Sequence, residues 1–180
     1  MPPEIEILKD VSIRLDSLGI EYMLTGSFAM IYYAFPRMTR HIEIVIALKS
    51  EQAEKIVEAF SPDYYVTREA VSDSIIHSSM FNLIHNSTIV KADFIIRKQS
   101  PYHLNEFSRR MRIDAGGFGT NIVSKEDLVL AKLPWARDSL SEMQLRDIKN
   151  LLSSGVDGDY IQKWIAELDL KEVWTHTTHE

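Results

Sequence analysis

A run dominated by β-branched residues constrains the fold of this chain more than any other feature. Residues 40–46 read Arg-His-Ile-Glu-Ile-Val-Ile, a composition that fits a pleated strand. Because side chains alternate along a strand, the three isoleucines share one face, and His41 and Glu43 share the other. The segment therefore predicts a half-buried strand that places polar side chains together on one face.

The segments around this strand predict a mixed α/β arrangement. Apolar residues at three- and four-residue steps predict a helix over residues 4–18, ended by Gly19. Tyr22–Thr25 predicts a short strand that runs into Gly26-Ser27, followed by a helix that stops before Pro36. Another amphipathic helix is expected at about 50–60.

Two hairpins and three helices are expected after this point. Runs 80–85 and 89–96 predict a hairpin whose second strand carries Asp93, and another hairpin turns at 115–117. Ser124 is a candidate N-cap of a helix that Pro134 should kink or end. Two further helices follow near 145–152 and 160–168. Their expected core consists of Trp135, Leu145, Ile148, Leu151, Trp164 and Leu168.

The predicted class is therefore α/β (α+β), a twisted mixed sheet with flanking helices over residues 1–123. A helical segment, 124–180, packs on this core to form a single compact unit. A chain of 180 residues has the size of one domain, and no repeat or long linker divides it.

Composition narrows the class of protein. The chain has no cysteine, which excludes a disulfide framework and thiolate zinc sites. It shows no signal-peptide pattern and no apolar run near the ~18 residues that span a membrane, so we expect a cytoplasmic protein without a membrane partner. A net charge of -6 argues against broad nucleic-acid binding by charge alone. A local basic groove is still open to Arg37, Arg40, Arg97, Lys98, Arg109, Arg110 and Arg112, although such charges usually form a solvated surface.

Two features carry candidate chemistry. Gly26-Ser27 between a strand and a helix permits a tight turn and offers helix N-terminal N–H groups to a phosphate, although a plain turn is the commoner meaning. Carboxylates at alternate strand positions, with a third on an adjacent strand, hold divalent cations beside a triphosphate. His41, Glu43 and Asp93 occupy those positions, and a half-buried strand with an ordinary polar face is the alternative.

In combination these features resemble a known pattern. Residues 22–30, 36–40 and 41–46 resemble the core motif of DNA-polymerase-β-like nucleotidyltransferases, and more narrowly of the small prokaryotic branch related to abortive-infection toxins. The segment Lys91-Ala92-Asp93-Phe94 is similar to the strand of the third acid in that family. Residues 124–133 and 144–152 are similar to its two C-terminal helical motifs, so the resemblance covers nearly the whole chain.

The resemblance implies roles for particular residues. Gly26 and Ser27 would contact nucleotide phosphates, with Arg37 and Arg40 as further phosphate contacts. The nucleotide or acceptor side would be lined by Lys132, Arg146 and Asp147. Glu43 and Asp93 would be catalytic, and His41, Glu43 and Asp93 would form the metal site for Mg²⁺ or Mn²⁺. We expect the strands of Glu43 and Asp93 to be adjacent, with both carboxylates in one cleft beside Ser27.

Position 41 departs from the family pattern, which has aspartate there. Glu43 stands where the pattern has a second aspartate, and its side chain is longer. A neutral imidazole cannot bridge two magnesium ions, because magnesium prefers oxygen ligands in a tight octahedron. Imidazole suits manganese, zinc or nickel better. Four explanations are open. Either the site has degenerated, or it works weakly with one metal, or it prefers a softer ion, or residue 41 is an alteration of the original sequence.

Three functions are consistent with the sequence. The first is metal-dependent transfer of a nucleoside monophosphate from an NTP to a hydroxyl of RNA, such as tRNA, or of a protein, in a toxin–antitoxin or phage-defence system with a cognate partner. The second is a catalytically degenerate, antitoxin-like module that binds a nucleotide or a partner. The third is an unrelated interaction module without nucleotide affinity.

Overall fold

A computed structural model describes residues 2–34, 41–139 and 141–178. The helices are α1 (Pro3–Ser17), α2 (Gly26–Tyr33), α3 (Ala53–Phe60), α4 (Arg68–His77), α5 (Pro101–Ser108), α6 (Lys125–Ser139), α7 (Glu142–Ser153), α8 (Gly158–Glu167) and α9 (Lys171–Thr178), with a 3-10 helix at Ser50–Gln52. The strands are β1 (Tyr22–Thr25), β2 (His41–Ile46), β3 (Tyr64–Tyr65), β4 (Met80–His85), β5 (Lys91–Ile96), β6 (Met111–Asp114) and β7 (Gly119–Ile122). The mixed α/β class is confirmed.

One sheet contains all seven of these strands, in the order β3-β4-β5-β2-β1-β7-β6. β2 lies near its centre, antiparallel to β1 and parallel to β5. The two predicted hairpins are confirmed, since β4 pairs with β5 and β6 pairs with β7, each antiparallel. The expected adjacency of the Glu43 and Asp93 strands is also confirmed, because these two residues are register partners.

The alternation along β2 is confirmed by its burial. Ile42, Ile44 and Ile46 are fully buried, whereas His41 is exposed and Glu43 is half-buried. The three isoleucines belong to a core that also takes in buried residues of α1, α6, α7 and α8. The sequence pattern therefore determined which side of the central strand faces the protein interior.

The helical segment differs from expectation at two positions. α6 continues past Pro134 to Ser139, so the prediction that this helix ends at the proline is wrong, while the expected kink stays a prediction. Buried residues on both sides of the proline, Leu133 and Ala136, keep the helix packed despite the missing N–H. Trp135 is 67% exposed, so its assignment to the core is also wrong.

The remainder of the expected helical core is confirmed. Ile148, Leu151 and Trp164 are buried, and Leu145 and Leu168 pack against them as partly buried residues. Elements β3, α4, α5 and α9 were not predicted. None of the helices within the described ranges combines the length and the hydrophobicity that crossing a membrane requires.

Candidate active site

The glycine turn at the end of β1 is the first component of the site. β1 ends at Thr25 and α2 begins at Gly26, whose φ of +61° lies in the left-handed region. A Cβ at Gly26 would overlap the Glu43 carboxylate, so the position needs glycine for its backbone and for the close approach of that side chain. The backbone N–H of Ser27 donates a hydrogen bond to Glu43 Oε2 at 3.1 Å. Glu43 thus lies where an anion would meet the start of α2.

Asp93 is the second component, and three neighbouring side chains approach its carboxylate. Asn82 Nδ2 donates to Oδ1 at 2.5 Å, and Lys91 Nζ lies 3.2 Å from the same oxygen. His41 Nδ1 lies 3.4 Å from Oδ2. Paired residues of parallel strands project from the same side of the sheet, so Asp93 and Glu43 lie side by side.

The donor set matches one divalent cation by type. Glu43 and Asp93 supply the carboxylate oxygens that magnesium and manganese prefer, whereas His41 supplies one imidazole nitrogen in place of a bridging carboxylate. In the part of the chain that the structure describes, no group of three or more His, Cys, Asp or Glu residues is arranged to hold a metal ion. By donor type the two carboxylates suit a single cation, and a pair of magnesium ions would lack its bridging carboxylate.

A cavity of about 420 Å³ opens beside the glycine turn. Its wall includes Gly26, Ser27 and Glu43 from the sheet side, and Lys132 and Gln144 from the helical side. Asp93 is absent from the described lining residues, so the structure brings Glu43 but not Asp93 to the cavity surface. The turn and the two C-terminal helical motifs nevertheless face one cavity.

A buried ion pair fixes the helical wall. Lys132 Nζ donates to Asp147 Oδ2 at 2.8 Å and to Gln144 Oε1 at 3.1 Å. Lys132 and Asp147 are both at most 4% exposed. The pair holds α6 against α7 and presents the lysine at the cavity. Arg146, beside Asp147 in sequence, is exposed, and the described residues that line the cavity do not include it.

The other predicted cations separate into two groups. Arg97 and Lys98 line the cavity. Arg109 pairs with Glu126 and Asp127, Arg110 with Glu21, and Arg112 with Asp16, so these three arginines serve ion pairs away from the cavity. Arg37 and Arg40 lie outside the described residues.

Among the cavity residues that sequence reasoning missed are His103 and Glu106 on α5 and Trp135 on α6. Glu106 is 6% exposed, and burial, helped by the charge of Asp127, raises the pKa of its carboxyl to about 8. Burial and the charge of Lys98 lower the pKa of His103. Tyr102, Glu106 and Phe107 together mark one buried face of a short helix, and that spacing was the available signal.

Comparison with known proteins agrees with this architecture. No protein-family model matches the sequence, and no curated protein matches it. Several solved structures do match in fold. An antigenic nucleotidyltransferase-like protein from Paracoccidioides brasiliensis is 18% identical with a TM-score of 0.62, and the match covers 99% of this chain and 98% of that one.

Two antibiotic-modifying enzymes show the same likeness. Lincosamide antibiotic adenylyltransferase LnuA, with lincomycin bound, is 14% identical with a TM-score of 0.53, over 84% of this chain and 96% of that one. ANT(2'')-Ia in complex with adenylyl-2''-tobramycin is 9% identical with a TM-score of 0.58, over 93% and 97%. At these identities the likeness concerns the fold. The chain has a nucleotidyltransferase-like fold, with the glycine turn and the paired acids on its central strands.

Proposed function

We propose that this protein transfers a nucleoside monophosphate from an NTP to an acceptor hydroxyl. The observation that carries the proposal is the contact of Ser27 N–H with Glu43 Oε2 beside Asp93, at the mouth of a cavity that Lys132 also lines. A helix N-terminus, a cation and two carboxylates are the groups that phosphoryl transfer requires.

The chain's own residues have separable tasks in this reaction. Ser27 N–H would donate to a phosphate oxygen once the Glu43 carboxylate releases it. Lys132, held by Asp147, would offer its remaining N–H to the nucleotide from the opposite wall. Glu43 and Asp93 would hold a divalent cation, Mg²⁺ or Mn²⁺, which supplies neutralisation of phosphate charge.

The acceptor is part of the same proposal. A hydroxyl of RNA or protein, in a toxin–antitoxin or phage-defence setting, is the acceptor that the sequence resemblance favours. The fold neighbours that carry lincomycin or an adenylylated tobramycin add small-molecule hydroxyls as candidates. The triphosphate side of the proposal is the same in each case.

A second function, nucleotide or partner binding without transfer, is favoured by one observation. Each carboxylate of the candidate metal site is already engaged by the protein, Glu43 by Ser27 N–H and Asp93 by Asn82, Lys91 and His41. In such a set the protein's own donors contact both carboxylates. A degenerate, antitoxin-like module would retain this arrangement permanently.

Labelled transfer separates the two functions. The protein is incubated with each α-³²P-labelled NTP, with Mg²⁺ or Mn²⁺, in the presence of tRNA, a protein lysate fraction or glycerol. Nucleotide binding is measured separately by calorimetry. We expect label on an acceptor with the wild type, a loss of about 100-fold or more in Glu43→Gln, and no change in Glu51→Gln, an exposed glutamate outside the cavity. Binding without transfer favours the second function, and neither binding nor transfer refutes both.

A further inference from the structure

A second cavity of about 340 Å³ adjoins the first. The two cavities share five wall residues, so they form one groove whose first end is the glycine turn. The shared residues are Lys98, His103, Glu106, Ala131 and Trp135. The second end of this groove takes its remaining wall from Tyr102 of α5, from α6, and from the segment between α8 and α9. We call the second cavity the far cavity.

Glu106 lies at the junction of the two cavities and lacks a partner among the described residues. It is 6% exposed, and within the described ranges its carboxyl makes no hydrogen bond or ion pair. Its acidic neighbour Asp127 differs, because Arg109, Ser124 and Tyr160 all donate to that carboxylate. Buried polar groups in proteins are usually hydrogen-bonded, so a buried carboxyl that faces only a cavity indicates a partner from solution.

The far cavity has a largely apolar wall. Tyr102, Leu130, Pro134, Leu168 and Leu170 contribute to it, and the exposed indole of Trp135 lies at the junction. A few polar groups set among apolar side chains in a space of this size are typical of a site for a small molecule. A nucleic-acid strand would instead need a charged track for its phosphates. Of the described candidates for such a track, Arg109, Arg110 and Arg112 are paired with acids, which leaves Arg97 and Lys98 on the groove wall.

We propose that the far cavity binds the acceptor, a small hydroxylated molecule with an apolar face, and that Glu106 accepts the proton of its hydroxyl. This inference rests on the proposed nucleotidyl transfer and assigns its acceptor end. The O–H proton passes to the Glu106 carboxylate, and the oxygen forms a bond to the α-phosphorus of the NTP. The bond from the α-phosphorus to the bridging oxygen breaks, and pyrophosphate leaves with that electron pair.

The charges around Glu106 suit this role. The charge of Asp127 on α6 favours the protonated form of Glu106, and Tyr102 on α5 and Tyr160 on α8 lie close enough for the charge of Glu106 to raise their own pKa. The groove adds three basic groups, Lys98, His103 and Lys132, together with Glu43. Arg137 lines the far cavity. Since the pKa of Glu106 is about 8, the carboxylate form increases as pH rises toward 8 and the proton can be both taken and released near neutral pH.

The test combines a pH profile with a matched pair of acceptors. Pyrophosphate release from ATP is measured between pH 6 and 9.5 with phenyl β-D-glucoside, which has an apolar ring and hydroxyls, or with mannitol, which has hydroxyls alone. We expect faster release with the glucoside. The wild-type rate should rise about tenfold per pH unit and level off above pH 8.

Variants connect the pH dependence to Glu106. Glu106→Gln should lower the rate about 100-fold at pH 8 and abolish the rising limb, while Glu106→Asp should restore part of both. Glu51→Gln, an exposed acid outside both cavities, should behave as the wild type. Calorimetry with ATP checks that each variant still binds the nucleotide.

Different failures have different meanings. A Glu106→Gln variant with the wild-type rate and pH limb overturns the role of Glu106 and leaves the proposed transfer intact. Equal rates with the glucoside and mannitol, or pyrophosphate release that responds only to an added oligoribonucleotide, overturn the apolar acceptor site. ATP binding without pyrophosphate release at any pH overturns this inference and the proposed transfer together, and retains nucleotide binding.

Discussion

Two buried carboxyl groups differ in what surrounds them: Asp147 pairs with the cavity residue Lys132, and Glu106 lies at the junction of the two cavities. Asp147 is 4% exposed and accepts a hydrogen bond from Lys132 Nζ at 2.8 Å. Glu106 is 6% exposed, and burial with the charge of Asp127 raises its pKa to about 8. Although the two acids are similarly buried, Asp147 forms a structural ion pair, whereas Glu106 exchanges a proton near neutral pH.

The role of a buried acid therefore depends on whether a counter-ion or hydrogen-bond donor contacts it. A buried charge with a hydrogen-bonded counter-ion holds two helices in register, and its loss leaves an uncompensated charge. A buried acid that faces only a cavity is available to a ligand. Asp93 is a third case, since Asn82, Lys91 and His41 all approach it. Substitutions that add or remove such partners test this difference directly.

The largest effect is expected from His41→Asp, which replaces an imidazole beside Asp93 with a second acid. Without a cation the new carboxylate should repel Asp93 and lower the melting temperature, and Mg²⁺ should restore it. Nucleotidyl transfer in Mg²⁺ should rise about 1,000-fold, equivalent to roughly 4 kcal/mol, and further with Glu43→Asp. Mn²⁺ should narrow the gap, because it accepts imidazole more readily.

The measurements for residue 41 are thermal unfolding and label transfer, each with Mg²⁺ and with Mn²⁺. His77→Asp is the matched control, because His77 is also an exposed histidine, 3.2 Å from Asp73, and lies outside the cavity. Its melting temperature should not respond to Mg²⁺. If the wild type equals the double variant in Mg²⁺, the histidine does not limit the reaction.

The next effect is expected from Lys132→Met, which removes the cation that neutralises Asp147. Breaking a buried pair from one side should cost about 3–5 kcal/mol in the free energy of unfolding at pH 7, measured by urea denaturation. Adding Asp147→Leu should recover much of this loss. Arg137→Met, which breaks the exposed Arg137–Asp138 pair, should leave the urea midpoint unchanged. A similar midpoint for both single variants would show that the Lys132–Asp147 pair carries no structural weight.

A smaller effect is expected from Gly26→Ala, where the side chain would displace the Glu43 carboxylate. Left-handed backbone strain and the steric conflict together should cost about 2–4 kcal/mol, and ATP affinity should fall because the turn is distorted. Gly116→Ala is the control, since Gly116 also has positive φ but an added Cβ there would meet no described atom within 4 Å. Its cost should be about 1–2 kcal/mol, with ATP affinity unchanged. Equal losses in the two variants would contradict the role of the Glu43 contact.

The last effect develops only as pH rises and is expected from Glu106→Gln on stability. The pKa of Glu106 is about 8 in the folded protein and near 4.5 in the unfolded chain. Between these pH values the folded state holds a proton that the unfolded state releases. The wild type should therefore lose stability relative to the variant as pH rises from about 4.5 to about 8, and the difference should be constant above that. At ~1.4 kcal/mol for each unit of the pKa shift, the difference should reach several kcal/mol at pH 9. Thermal unfolding of both proteins at pH 5, 7 and 9 measures it, and a difference independent of pH would contradict the raised pKa.

The sequence by itself determined the central strands and the position of the turn between β1 and α2. The alternation of isoleucines in β2 is a local pattern of period two, so it fixed the buried face without knowledge of other elements. The hairpins β4–β5 and β6–β7 also followed from local signals, because a short turn between apolar runs pairs neighbouring segments. The adjacency of the Glu43 and Asp93 strands needed more than local signals, and the family resemblance supplied it.

The tertiary structure alone decided which side chains face the cavity and which charges are paired. Trp135 and Leu133 are both apolar residues of α6, yet one lies on the cavity rim and the other in the core, a distinction that depends on what packs against each helix face. Asp147 and Glu106 are likewise indistinguishable as acids in a sequence. Asp147 is paired with Lys132, 15 positions earlier in the chain, whereas Glu106 has no partner among the described residues. Burial and pairing are long-range properties, because they depend on distances that only the assembled fold establishes.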